Sequence, residues 1–244
     1  MENQSYITWR DARIQELLSQ EKYDFDDLCD VVIILRGEGG CPWDREQDHH
    51  SIRTGLIEEC YEVIEAIDND DPVLLREELG DLLLQIVFHA DMEKDIGRFS
   101  IQDVANDECV KMIHRHPHVF GQIHADTSEQ VLENWEMIKK QEKHRESLSD
   151  QLEAIPPILP ALMRAQKVGK KAGIDSDLSE DEIIDKLIVQ LASLKHCHPP
   201  QGQKEALGEI LFDMTTLTRK KQLDAEEALT ACVEQKIKQA KTKS

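Results

Sequence analysis

Two pairs of acidic residues have the spacing that lets carboxylates meet on one face of a helix. Glu59 and Glu62 are three residues apart, as are Glu78 and Asp81, and each pair interrupts an apolar stretch with helical periodicity. No basic residue follows four positions after the three glutamates to neutralise them. If the two helices pack antiparallel, the carboxylates converge, and their mutual repulsion requires cations. Oxygen ligands in this number favour Mg²⁺, with Mn²⁺ as the alternative.

The alternative for these acids is an ordinary solvated helix surface, since glutamate-rich helix faces are common. Matching spacing on two consecutive helices favours the metal site over that alternative. Gly80 lies inside the second pair, where we expect it to permit a close helix approach.

The elements that carry these acids are predicted to be helices, in a protein that is all-α throughout. Aromatic residues make up only 5 % of the chain, and the apolar residues recur at helical spacing. Asp71 followed by Pro72 predicts the start of the second acidic helix, and Ser100 with Asp103 predicts the start of the next one. The predicted helices cover residues 26–35, 51–68, 72–95, 100–115, 128–144, 179–196, 203–221 and 225–240.

A repeated motif predicts two tandem helical-bundle repeats. Residues 78–83, Glu-Leu-Gly-Asp-Leu-Leu, are echoed by residues 206–211, Ala-Leu-Gly-Glu-Ile-Leu. We therefore expect a first domain over residues 1–146, a proline-rich linker over 147–162 and a second domain over 163–244. The second copy is degenerate, because Glu209 is its only acid in the motif, and we expect it to be structural.

The composition limits which partners and which cellular compartment are compatible with the sequence. A net charge of −20 argues against a nucleic-acid polymer as partner, since phosphate backbones select clustered Lys and Arg. No apolar run approaches the roughly 20 residues of a membrane span. The six cysteines are dispersed without a CxxC pair, which predicts free thiols in the cytoplasm and neither zinc binding nor a disulfide framework.

Several segments together resemble the MazG family of nucleoside triphosphate pyrophosphohydrolases. They are Gly-Cys-Pro-Trp-Asp at residues 40–44, the acidic pairs, Glu-Glu-Leu-Gly-Asp-Leu-Leu-Leu-Gln-Ile-Val-Phe-His-Ala at 77–90, and Arg-His-Pro-His-Val-Phe-Gly at 115–121. The resemblance implies an all-α fold of four-helix units, usually a homodimer. It also implies hydrolysis of a nucleoside triphosphate to a monophosphate and pyrophosphate, with Mg²⁺ on the four acids and a metal-activated water that attacks the α-phosphorus.

Further residues are candidates for roles in that reaction. Glu58 is the candidate acceptor of the proton from the attacking water. Lys111 and Arg115, four residues apart, are candidates for contact with the phosphates, and the positions of the family agree; ordinary surface cations are the alternative. Trp135 is a candidate for stacking on the base, with burial in a core or an interface as the alternative.

Three other functions compete with this interpretation. In family members with two copies the C-terminal repeat can be the main catalytic one, so a non-catalytic or weakly catalytic nucleotide-binding regulatory module is the principal rival. A di-iron carboxylate bundle would pair glutamate with Glu-x-x-His, whereas the partners here are Glu62 and Asp81. A specialist resembling dUTPase or dCTPase is disfavoured by the Cys-Pro-Trp-Asp and His-Pro-His-Val-Phe segments.

Overall fold

The chain folds into two compact units, Met1–His124 and Ala125–Ser244. The computed structural model describes residues 2–142, 147–195 and 200–242, and every regular element in these ranges is a helix. The all-α prediction is thereby confirmed. No helix within the described ranges is both long enough and apolar enough to cross a membrane. The helices of the first unit are α1 (Glu2–Ser19), α2 (Phe25–Arg36), α3 (Pro42–Glu46), α4 (His49–Asp68), α5 (Pro72–Asp95), α6 (Ile101–Arg115) and α7 (Pro117–Phe120).

Local sequence signals determine where α4 and α5 begin. The Asp48 carboxylate accepts hydrogen bonds from the backbone N–H groups of His50 at 2.8 Å and Ser51 at 2.7 Å, so α4 starts two residues before the predicted Ser51. The Asp71 carboxylate accepts from the N–H groups of the second and third residues of α5, each at 3.0 Å, and Pro72 is its first residue. Both caps satisfy N–H groups that lack a partner inside the helix.

The core of the first unit lies where α2 and α4 pack on α5. Val32 and Val87 are 0 % and 2 % exposed, and around them lie Cys29, Ile52, Phe88 and Met92. Burial of a side chain of this size contributes about 1.5–3 kcal/mol to stability. This core fixes α5 against its neighbours and therefore fixes the acidic residues that α5 carries.

Helix α1 was missed by the sequence analysis, and ion pairs explain why it forms. The Arg13 guanidinium lies between two carboxylates of α2, with Nε donating to Asp30 Oδ2 at 2.6 Å and Nη2 donating to Asp27. The Arg10 guanidinium donates to the carbonyl oxygen of Glu38 at 2.5 Å. The helix is largely polar, so an apolar period could not reveal it.

The second unit is built from six helices within the described residues. They are α8 (Ser128–Glu142), α9 (Leu148–Glu153), α10 (Ala161–Ala172), α11 (Glu180–Leu194), α12 (Pro200–Lys220) and α13 (Ala225–Lys241). Ile183 and Leu187 of α11 pack on Ile210 of α12 to form its core. The predicted end of α8 at His144 and the predicted domain boundary at residue 146 lie outside the described residues. Helix α9 lies within the predicted linker and packs on α10, neither of which was predicted as a helix.

An internal ion pair occupies the contact between α11 and α12. The Asp213 carboxylate is 2 % exposed, and it accepts from Lys186 Nζ at 3.0 Å and from Gln190 Nε2 at 2.7 Å. Lys186 Nζ also donates to Asp175 at 2.8 Å. Glu209, the remaining acid of the degenerate motif, is exposed. The interpretation of the two units as repeats, with the second one structural, stays a prediction.

Candidate metal centre

Helices α4 and α5 bring all four predicted metal ligands together. One carboxylate oxygen from each of Glu59, Glu78 and Asp81 lies within 4.8 Å of the other two. The Glu62 carboxylate lies close enough to both Glu59 and Glu78 for its charge to raise the pKa of each of them. The helices run antiparallel, as the spacing argument required, and the role of these residues as ligands stays a prediction.

The electrostatics of the cluster favour a bound cation. Burial, followed by the charges of Glu62 and Asp81, raises the pKa of Glu59. Burial and the neighbouring Glu62 carboxylate likewise raise the pKa of Glu78. The raised pKa values reflect the cost of holding like charges together, a cost that a cation bound among the carboxylates would relieve.

The donor set and its exposure fit a hard divalent cation in an open site. All the ligand atoms are carboxylate oxygens, which suit Mg²⁺, Mn²⁺ or Ca²⁺ better than softer metals. Glu78 is 8 % exposed and Glu59 is half-buried, whereas Asp81 is exposed. The cluster is therefore closed on the side of the core and open toward solvent, so a substrate can reach the ion.

The close helix approach occurs at Gly55 and not at Gly80, where we had expected it. A Cβ atom at Gly80 would meet nothing within 4 Å, whereas one at Gly55 would lie 3.0 Å from Nε2 of Gln85. Gln85 lies one turn after Asp81 on the same face of α5. The missing side chain at position 55 thus makes room for the Gln85 amide next to the carboxylates.

The other candidate residues of the first unit have different surroundings. Glu58 is exposed, and its charge adds to the causes that raise the pKa of Glu59. The Lys111 ammonium pairs with Glu108, three residues earlier on α6. Arg115, at the end of the same helix, is 6 % exposed, so its guanidinium is held in place by the protein around it.

Trp135 lies on α8, in the second unit. The Lys139 ammonium, one turn later, is 5.4 Å from the centroid of its ring, a cation–π distance. The indole Nε1 of Trp135 is buried and has no hydrogen-bond partner among the described residues. A contact between this residue and a nucleotide base stays a prediction.

A contact that the sequence analysis missed joins the start of α4 to the last turns of α5. His49 Nδ1 is 2.7 Å from His89 Nδ1, and His49 Nε2 is 2.7 Å from Glu93 Oε1. The spacing of four residues places His89 and Glu93 on one face of α5, but no local pattern indicates that this face meets the start of α4.

The model of the MazG nucleotide pyrophosphohydrolase domain matches residues 47–120, which include both acidic pairs. A protein of Thermotoga maritima, named nucleoside triphosphate pyrophosphohydrolase/pyrophosphatase MazG, is 40 % identical over 207 residues, which are 84 % of this chain and 79 % of that one. The nucleoside triphosphate pyrophosphohydrolase of Escherichia coli K12 is 38 % identical over 212 residues, 84 % of this chain and 81 % of that one.

A longer relative matches a similar share of the chain. The uncharacterised protein YabN of Bacillus subtilis is 41 % identical over 217 residues, which are 85 % of this chain and 44 % of YabN. The similarity to the proteins of T. maritima and E. coli extends over most of both chains, and the domain match contains the converging carboxylates. The chain belongs to the MazG family.

Proposed function

We propose that this protein is a Mg²⁺-dependent pyrophosphohydrolase that converts a nucleoside triphosphate and water to a nucleoside monophosphate and pyrophosphate. The observation that carries the proposal is the convergence of Glu59, Glu62, Glu78 and Asp81 at the α4–α5 contact, in a chain of the MazG family. Mn²⁺ is the alternative metal, because it accepts the same oxygen ligands.

The four carboxylates would hold the metal, which when bound would neutralise phosphate charge and lower the pKa of a coordinated water. Glu78 is fixed by burial and so orients the site from the core, while the exposed Asp81 faces the incoming triphosphate. The exposed Glu58 accepts the proton of the water that attacks the α-phosphorus, and pyrophosphate leaves.

Lys111 and Arg115 are proposed to bind the phosphates of the substrate. The ion pair of Lys111 with Glu108 is partly exposed, and such pairs contribute little free energy, so the ammonium can exchange that partner for a phosphate oxygen. Arg115 is buried and therefore pre-organised, and a guanidinium binds phosphate oxygens bidentately. Trp135 is proposed to stack on the base, a contact that its partly buried ring and the nearby Lys139 support.

Product analysis tests the reaction. A panel of nucleoside triphosphates is incubated with the protein and Mg²⁺, and the products are separated by chromatography. We expect monophosphate and pyrophosphate from the wild type and from Glu65→Gln, an exposed control on the same helix, and neither product from Glu62→Gln. Diphosphate and phosphate as products would contradict attack on the α-phosphorus.

The second candidate is a nucleotide-binding regulatory module, favoured by one observation. Among the residues that the structure describes, the α11–α12 contact holds no free carboxylate cluster, because the buried Asp213 is paired with Lys186. If the C-terminal unit of a two-unit protein had to supply the turnover, this chain would bind nucleotides and leave them intact. Mg²⁺-dependent nucleotide binding without any product would favour this candidate.

We propose a homodimer because α4 and α5 carry exposed apolar side chains. Ile57, Tyr61 and Ile64 recur at spacings of four and three residues on α4, and Leu79 and Ile86 are seven apart on α5; all are exposed. An apolar face of this kind is typical of an interaction surface. Sedimentation analysis should give twice the monomer mass of 28.0 kDa, and Tyr61→Glu should shift it to the monomer.

The proposed partners and compartment are those predicted from the sequence. The net charge of −20 supports a small nucleotide substrate rather than a nucleic-acid polymer. The five cysteines that the structure describes are all free thiols, which supports a reducing cytoplasm. Subcellular fractionation tests the compartment, and a gel-shift assay with DNA and RNA tests the exclusion of polymers.

A further inference from the structure

Two imidazoles and a buried carboxylate form a chain of hydrogen bonds away from the metal centre. His49 is the first residue of α4, and its two ring nitrogens lie 2.7 Å from Glu93 Oε1 and 2.7 Å from His89 Nδ1. The two rings are stacked, with their centroids 5.0 Å apart and their planes within 3°. Glu93 is 7 % exposed, and Nη1 of Arg98 lies 3.3 Å from its second oxygen.

The geometry of these hydrogen bonds determines which ring nitrogens carry a hydrogen. The Glu93 carboxylate accepts, so His49 Nε2 carries a hydrogen and donates it. A neutral His49 then has a lone pair on Nδ1, which accepts from His89 Nδ1, and the lone pair of His89 lies on Nε2. That Nε2 atom is buried without a hydrogen-bond partner in the part of the chain that the structure describes.

The imidazole pair can hold no more than one positive charge. Two cationic rings would direct two N–H groups at each other across the 2.7 Å between the Nδ1 atoms, where only one hydrogen fits. Uptake of a second proton must therefore separate the rings. Burial and the adjacent His49 also lower the pKa of His89. Burial tends to raise the pKa of Glu93, yet the hydrogen bonds from His49 and Arg98 lower it.

Most of the other charged groups on the neighbouring elements have partners of their own. Asp48 accepts from backbone N–H groups at the start of α4, and His50 is exposed beside it. The charged groups contributed by the neighbouring elements are Arg36 of α2, which pairs with Asp91 and Asp95 of α5, the buried Asp44 of α3, and Arg98 after α5.

The hydrogen bonds of His49 join α4 to α5 at a second place, separate from the carboxylate cluster. His89 follows Asp81 by two turns on the same face of α5, about 12 Å along the helix axis at 1.5 Å per residue. The carboxylates repel each other and push the two helices apart at their level, whereas the His49 contacts pull them together. We expect loss of these contacts to loosen the start of α4 on α5 and so to alter the distances between Glu59 and the carboxylates on α5.

We propose that His49 and His89 are positioning residues, which hold the carboxylates at the spacing that a divalent metal needs and release that hold when the pair takes up a second proton. The inference rests on the proposed metal site. Because the pKa of His89 is lowered, the stabilisation by the neutral pair is complete above the ordinary histidine pKa of 6.5. The first proton taken up below that pH occupies Nε2 of His89 and keeps the hydrogen bond between the rings, and the second proton breaks it, so the stabilisation is lost as the pH falls further. Metal affinity should fall over the same range.

Direct binding of Mn²⁺, measured by electron paramagnetic resonance on the full chain, tests the proposal at about pH 8 and about pH 6, on either side of the ordinary histidine pKa. His89→Phe keeps the ring but not the hydrogen bond. We expect it to weaken Mn²⁺ binding about fivefold at the higher pH, the equivalent of one hydrogen bond. His89→Asn can still donate to His49 Nδ1 and does not titrate. It should bind like the wild type at the higher pH and lose less affinity at the lower pH.

His50→Asn is the matched control, because His50 is the exposed neighbour of His49 and should leave binding unchanged at both pH values. Equal binding by His89→Phe and the wild type would overturn the inference while leaving the metal site intact. A wild type that binds no Mn²⁺ would overturn the proposed function and this inference together. If His89→Phe does not fold, His89→Asn decides, since an undiminished loss of affinity at the lower pH would refute the role of the pair.

Discussion

Replacing Glu59 by glutamine should stabilise the protein without metal and destabilise it with metal. In the absence of a cation, the Glu59 carboxylate lies within 4.8 Å of the carboxylate oxygens of Glu78 and Asp81. At this distance one pair of like charges costs about 1 kcal/mol in a water-like dielectric, the appropriate value for a partly exposed group. Removal of that repulsion should raise the melting temperature of the first unit by roughly 3 °C.

Metal binding reverses the sign of this difference. A ligand at about one hundred times its dissociation constant stabilises the folded state by about 2.7 kcal/mol, and Glu59→Gln loses part of that gain with its ligand oxygen. Differential scanning fluorimetry of both proteins, in EDTA and in a Mg²⁺ series, measures both effects. The variant should melt higher in EDTA and lower at saturating Mg²⁺, so the two titration curves should cross.

The pH dependence of the same melts supplies the control. The pKa of Glu59 is raised in the folded state, so protonation relieves the repulsion as the pH falls toward the ordinary glutamate value of 4.5. In EDTA, the advantage of the variant should therefore be present at neutral pH and shrink in acid. A variant that melts below the wild type in EDTA at neutral pH, with no difference in the response to Mg²⁺, would refute the repulsive cluster.

Three further substitutions test a helix contact, a helix cap and a buried ion pair. Gly55→Ala should raise the free energy of unfolding by about 0.5 kcal/mol, since the gain in helix propensity exceeds the cost of moving the flexible Gln85 amide; urea denaturation measures it, and a loss would contradict the free movement of that side chain. Asp71→Ala should cost about 1 kcal/mol in the same assay, because two N–H groups at the start of α5 lose their acceptor, and an unchanged midpoint would contradict the cap. Lys186→Met should lower the free energy of unfolding by about 2 kcal/mol, because it leaves the Asp213 carboxylate buried without its cation. This cost is smaller than for a fully buried pair because Lys186 is partly exposed. An unchanged stability would indicate that the hydrogen bond from Gln190 alone stabilises the Asp213 carboxylate.

The features that could be predicted from the sequence depend on neighbours along the chain. Asp71 with Pro72, and Ser100 with Asp103, marked the starts of α5 and α6, because capping involves residues two or three positions apart. The convergence of the acidic pairs was predicted for the same reason, since residues three apart share a helix face. It needed only one further assumption, the antiparallel packing of two helices joined by a short turn.

The features that could not be predicted depend on register between helices. The contact of His49 with His89 and Glu93 joins residues 40 and 44 positions apart, and no local pattern indicates which turns face each other. Helix α1 was hidden because Arg13 and its acidic partners on α2 stabilise it in place of an apolar stripe. The close approach was assigned to Gly80, although the side chain that needs space, Gln85, faces Gly55.

The ion pair of the second unit gives the two halves of the chain different sensitivities to their surroundings. Lys186 is a cation that the polypeptide itself supplies, always present at the buried Asp213 whatever the composition of the solution. The proposed metal site at the α4–α5 contact would instead take its cation from the medium. Removal of divalent cations by EDTA should therefore lower the local stability of the first unit and leave that of the second unchanged. Amide hydrogen exchange should then speed up in α4 and α5 but not in α11 and α12.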